Sequence, residues 1–209
     1  RHVLKYGADD ANKQAELFLA LKERRLDEAS AILEIGGNLN PTCGFNHRCQ
    51  PLATASMEGD LEFMRYLIDH GADLDGYNAH DDVPLIYALS NNQIEAAKLL
   101  IESGANVNIP NAFGFSPFVG ASALGNKDLI TLMIQKGAKL DDNYFLRVGS
   151  AKPGDKNMRP LEVAIQYNQP GTVSLLLNSG ADPNLQNAQG ETIAAIGQRS
   201  ENIAIRQQF

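Results

Sequence analysis

The sequence predicts an all-α fold: a solenoid of stacked helix–turn–helix units with connecting β-hairpin loops. Three observations carry this. A short phrase returns at Gly71-Ala72-Asp73, Gly104-Ala105-Asn106, Gly137-Ala138-Lys139 and Gly180-Ala181-Asp182, spaced by 33, 33 and 43 residues. Each phrase closes an apolar run with helical spacing. Pro plus an apolar residue follows at Pro84-Leu85, Pro117-Phe118 and, after a ten-residue insertion, Pro160-Leu161. A period of this length marks a stack of like units, each burying its apolar face against its neighbours.

The second helix of each unit is read by counting back from the recurring Gly. At −7 stand Ala29, Met64, Ala97, Ile130 and Val173; at −4 stand Ile32, Leu67, Leu100, Met133 and Leu176; at −3 stand Leu33, Ile68, Ile101, Ile134 and Leu177. These columns form one stripe of an amphipathic helix. The Gly suits the position just past the helix, where a left-handed backbone carries no Cβ penalty.

The first helix opens at Pro51, Pro84, Pro117 and Pro160, where the missing N–H would be unsatisfied in any case. Ala55, Ala88, Ala121 and Ala164 recur four residues later and let neighbouring helices approach closely. Turns such as Glu58-Gly59-Asp60 and Gly125-Asn126-Lys127 join the two helices. About 12 residues rich in Asp, Asn and Gly connect one unit to the next.

Leu99-Leu100-Ile101-Glu102-Ser103-Gly104-Ala105-Asn106-Val107-Asn108 and Leu175-Leu176-Leu177-Asn178-Ser179-Gly180-Ala181-Asp182-Pro183-Asn184 resemble the ankyrin repeat motif. The resemblance covers most of the chain, because several units agree in register. It departs at one position: the motif's His is replaced by Ala53, Ile86, Val119 and Glu162.

On this register residues 1–209 form one domain. Residues 1–36 are a partial or capping unit, 37–71, 72–104, 105–137 and 138–180 are full repeats, and 181–209 are a C-terminal cap. Residues 1–9, with Val3 and Leu4 ahead of Gly7, look like the tail of an earlier unit. Two insertions break the beat. One adds two residues between Gly36 and Pro51; the other adds ten between Gly137 and Pro160.

The first insertion holds both cysteines, in the loop Cys43-Gly44-Phe45-Asn46-His47-Arg48-Cys49. Three readings stand side by side: a Cys43–Cys49 disulfide, two free thiols, or a metal site lacking ligands beyond His47. A disulfide favours an exported or periplasmic setting, free thiols a cytoplasmic one.

Net charge is −7 with a pI near 5.1, which argues against nucleic acid as the partner. No uninterrupted apolar stretch is long enough to span a membrane. Seven acids between Asp69 and Asn106 face one Lys98, whereas residues 107–158 are mildly basic; this asymmetry would steer a partner of the opposite pattern. No nucleophile elbow, phosphate-binding loop or His-Glu-x-x-His run occurs. The expectation is therefore a non-enzymatic module without a cofactor, monomeric by itself. An enzyme or metal-binding protein using the Cys43-His47-Cys49 loop is the alternative of a different class.

The resemblance implies a protein partner bound on a concave side made by hairpin tips and the last turns of the first helices. By register those positions hold Met57, Glu58, Tyr77, His80, Asp81, Asp82, Phe113, Phe115, Tyr144, Phe145, Arg147 and Tyr167, with Ser90, Asn91, Leu124 and Gln166 beside them. Aromatic residues and Arg dominate interface energetics. Phe113 and Phe115 flank Gly114 in a turn, where a ring either meets a partner or folds back onto the next unit. Tyr144 and Phe145 either meet a partner or anchor the inserted loop. The binder is expected to be a scaffold or adaptor, or an inhibitor or immunity-type partner of a secreted bacterial protein.

Overall fold

A computed structural model describes residues 10–40, 50–77, 82–111, 114–142, 144–145 and 157–209. Cys43, His47, Cys49, His80, Asp81, Phe113 and Arg147 lie outside them, as does the possible half unit at residues 1–9.

The described residues form six consecutive helix pairs. They are α1 (Asp10–Lys22) with α2 (Leu26–Glu34), α3 (Pro51–Glu58) with α4 (Leu61–Asp69), and α5 (Pro84–Ser90) with α6 (Ile94–Glu102). Then follow α7 (Pro117–Leu124) with α8 (Lys127–Gln135), α9 (Pro160–Gln166) with α10 (Pro170–Asn178), and α11 (Ile193–Gln198) with α12 (Ile203–Arg206). From the second pair onward, first helices pack in sequence, α3 on α5, α5 on α7, α7 on α9 and α9 on α11. Second helices do the same from α4 to α12. The stack is the all-α solenoid that the register predicts.

The counted columns make its core. Every residue at −7 and at −4 is fully buried. At −3 only Ile101 is; Leu33, Ile68, Ile134 and Leu177 are half-buried. The recurring glycines end the second helices as expected, with φ between 85° and 106° from Gly36 to Gly180. The same geometry returns the chain onto the core. The N–H after each Gly donates to the carbonyl at −4: Gly37 to Ile32, Ala72 to Leu67, Ala105 to Leu100, Ala138 to Met133 and Ala181 to Leu176, at 2.8–3.0 Å. One residue thus fills the interior with its side chain and closes the helix with its backbone.

A second left-handed column joins the two helices of each unit: Arg24, Gly59, Asn92, Gly125 and Asn168. Two solutions alternate around it. At Gly59 and Gly125 the side chains of Gln93 and Gln169 cross the space a Cβ would fill, and their amides donate to the Met57 and Ala123 carbonyls. Elsewhere the next unit supplies an N-cap, and Asp60, Asn126 and Asn202 accept from the Phe63, Leu129 and Ala204 N–H groups. Arg24 reaches Asp60 at 2.5 Å, and Asn202 reaches Asn168 at 2.6 Å.

The first joint carries aromatic side chains. Phe63 and Tyr66 on α4 stand where α6 has Ala96 and Leu99. The Arg24 guanidinium lies 3.6 Å from the Phe63 ring centre. Tyr66 donates to the Leu26 carbonyl, bonds Ser30 Oγ at 2.7 Å and stacks on His70.

A polar ladder runs along the connectors, four residues after each recurring Gly. Asn40, Asp75, Asn108 and Asp141 accept from the backbone N–H of Asp73, Asn106, Lys139 and Asp182 in the following unit, at 2.7–3.0 Å. Where the rung is Asn, its amide also donates to the next Gly carbonyl, from Asn40 to Gly71 and from Asn108 to Gly137.

Asp75 cannot make that second bond while ionised. Partial burial pushes its carboxyl above the ordinary carboxylate range; the Asn106 N–H opposes this and Asp73 adds to it. An acid raised in this way binds its proton more tightly when folded. Its contribution is therefore unfavourable once pH exceeds the folded pKa and is relieved as pH falls through it. Asp75→Asn is expected to raise stability at pH 7 by about 0.5–1.5 kcal/mol, one net hydrogen bond, with a smaller gain in the acid range. Urea unfolding at both pH values checks it; a loss at pH 7 would refute the desolvation argument.

The ten-residue insertion leaves the stack intact because its base is tied. β1 (Tyr144–Phe145) pairs antiparallel with β2 (Asn157–Met158), joining Tyr144 to Met158 and Phe145 to Asn157. Arg159 donates to the Asp141 carbonyl, and Asp141 keeps its rung to Asp182. Elsewhere among the described connectors, strand pairing is a single bridge between Gln186 and Thr192.

Candidate functional site

The site is built from two repeat positions at the end of each first helix. In chain order they hold Lys22 and Glu23, Met57 and Glu58, Ser90 and Asn91, Ala123 and Leu124, Gln166 and Tyr167. The preceding turn points inward: Leu21, Ser56, Leu89, Ser122 and Ile165 are all buried. The next residue is the left-handed turn. Between these constraints the two positions are left at the surface, and of the ten only Ala123 is not exposed.

Three of them are large and apolar. Met57 is 39% exposed, Leu124 36% and Tyr167 43%. Met57 holds the first of the two positions and Leu124 and Tyr167 the second, and sequential packing from α3 to α9 carries them along the same end of the first helices. Glu58 stands exposed beside Met57, and Ser90 and Asn91 form a polar step between Met57 and Leu124.

The connector residues have mixed fates. Tyr77 is about half exposed, with its carbonyl held by Gln50. Asp82 is half-buried and accepts from Asn111 at 2.6 Å, so part of its carboxylate holds the connector together. Phe115 folds back: its ring lies against Gly120 of α7, where a Cβ would stand 2.9 Å from the ring edge. The ring thus packs on the first helix of its own unit, and glycine in this buried helix makes the room. Tyr144 and Phe145 form β1 at the base of the insertion.

Met158, absent from the candidates, is buried with Val119 of α7 and Val163 of α9, and Phe115 and Ala123 border them. It covers apolar side chains of two adjacent first helices. The signal was available, since Met158 and Phe115 both stand two residues before a helix-opening proline. Glu162, one of the residues replacing the motif's His, is also buried.

At the other end of the stack, α1 exposes Phe18 and Leu19, which register analysis had not singled out. Their counterparts Val119 and Val163 are buried between successive first helices.

Among the described residues, no three His, Cys, Asp or Glu side chains are grouped to hold a metal ion. Among the described helices, none is long and apolar enough to cross a membrane.

The family model for ankyrin repeats in three copies matches residues 17–111, and the model for a single ankyrin repeat matches residues 156–188. No curated protein matches the chain. The stretch between the two matches holds α7 and α8, which keep the same caps and the same buried columns. Together the matches cover more than half of the residues, and the chain belongs to the ankyrin repeat family, whose repeats are in general protein–protein interaction modules.

Proposed function

We propose that this chain binds a partner protein on the concave face of its stack, as a scaffold or adaptor or as an inhibitor or immunity-type partner of a secreted bacterial protein. The observation that carries the reading is the exposure of Met57, Leu124 and Tyr167 on the last turns of the first helices of three units. The core is filled from other columns, so these side chains are not needed to close it. Each is carried by the end of a packed helix, so little backbone freedom is lost when a partner covers it. Aromatic residues and Met are enriched in interface centres, and a few such anchors carry most of the energy. Tyr77, Asp82, Phe115, Tyr144 and Phe145, with His80, Asp81, Phe113 and Arg147, extend the proposed contact region along the connectors. The domain acts as a monomer and contributes recognition, with no reaction of its own.

Photo-reactive residues placed singly at positions 57, 124 and 167, in the native source, test this. Positions 69, 102 and 136, exposed at the ends of second helices, are the controls. The expected result is one common protein adduct from the first set and none from the controls. Equal labelling from both sets would move the binding surface elsewhere. The identity of the adduct separates an adaptor from an inhibitor.

A further inference from the structure

We propose that the occupant of this face is an amphipathic α-helix of the partner, lying along the stack with apolar anchors at i, i+11 and i+18 and a basic residue beside the first. The proposal rests on the concave-face reading above and commits it to one kind of ligand.

The spacing comes from the stack. Met57 belongs to the second helix pair, Leu124 to the fourth and Tyr167 to the fifth. Packed helices lie about 8–10 Å apart. The helix ends that carry Met57 and Leu124 are therefore separated by roughly 16–20 Å, and those that carry Met57 and Tyr167 by roughly 24–30 Å. A helix rises about 1.5 Å per residue, so eleven residues span about 16.5 Å and eighteen about 27 Å. At about 3.6 residues per turn those intervals are close to three and five whole turns. All three anchors then fall on one face, and the polar step at Ser90 and Asn91 meets partner residues between the first two.

An extended strand could match the same distances. It would need backbone partners along its length, and the row offers it side chains at helix ends. Its N–H and C=O groups would lose water without replacement, whereas a helix satisfies its own.

Charge sets the direction. Among the described residues at these two positions, Glu58 is the acid beside the first anchor. Past the last anchor the sixth unit begins its turn with Arg199, exposed and bridged to Glu191. A partner helix gains by placing its positive N-terminal end, and a basic side chain, toward Glu58 and its negative end toward Arg199.

The test uses the whole chain and a synthetic Ala/Gln-based helical peptide with Leu at i, i+11 and i+18 and Arg at i+4, followed by fluorescence anisotropy. Saturable binding is expected. Met57→Asp, Leu124→Asp and Tyr167→Asp should each weaken it about tenfold. Glu58→Lys should weaken it and flatten its salt dependence. A peptide with Pro at i+9 should lose binding by at least about tenfold, because the helix is broken. These side chains are exposed, and unchanged thermal melts of the variants confirm intact folds. Absence of binding by the parent peptide, equal binding by the Pro peptide, or indifference to all three Asp substitutions would overturn the proposal. Crosslinks from positions 57, 124 and 167 without peptide binding would reject the helix while leaving the face standing. Absence of both would reject the two together.

Discussion

Leu100→Ala is expected to lower the unfolding free energy by about 2–5 kcal/mol, the range for deleting a buried leucine side chain. Leu100 is fully buried at the −4 position of α6, in the third of six helix pairs. In a stack, stability is close to a sum of unit terms and nearest-neighbour interfaces. A cavity in a central unit weakens two interfaces, and it also loosens the packing beside the Leu100 carbonyl that closes the helix onto Ala105. Urea unfolding followed by circular dichroism measures it, as a lower midpoint. The transition should also broaden or split as the two halves lose their coupling. A loss below about 1 kcal/mol would mean that the site collapses around the deletion.

Gly104→Ala is expected to cost about 1–3 kcal/mol for a purely backbone reason. Gly104 has φ of 106°, and a Cβ built there meets no atom within 4 Å. No steric relief is therefore open to a second substitution, and the penalty is that of holding an L-residue in a left-handed conformation. Gly120 is the opposite case: an ordinary helical backbone with the Phe115 ring in the way. Chemical denaturation of Gly104→Ala decides the matter. A cost within about 0.5 kcal/mol, the range of neutral surface changes, would show that the connector relaxes and that the recurring glycine is not conformationally required.

Register was legible wherever the determinant was local. The −7 and −4 columns recur on one helix face, and burial followed. The helix-opening prolines and helix-ending glycines need only their own backbone preferences, so the sequence placed the starts of α3, α5, α7 and α9 and the ends of the second helices that a recurring glycine closes. The candidate row was legible too: Met57, Glu58, Leu124 and Tyr167 follow by counting from proline.

The ladder was not legible, because an Asn or Asp four residues past glycine can bond its own turn as well as a unit 31 to 41 residues away. Only stacking brings Asn40 to Asp73 or Asp75 to Asn106. The same holds for Arg24. A left-handed arginine looks unfavourable in isolation, and its role depends on Asp60 and Phe63 arriving from the next unit.

The sequence by itself thus determined the class, the period and the core of this protein, since apolar spacing and backbone preference act within a unit. Tertiary structure decided which exposed side chains remain available. Phe115 and Met158 carry the same kind of apolar surface as Met57 and Tyr167, but each finds a space on a neighbouring helix, and Met57 and Tyr167 do not. Availability is a property of the gaps between units, and those gaps exist only once the units have stacked.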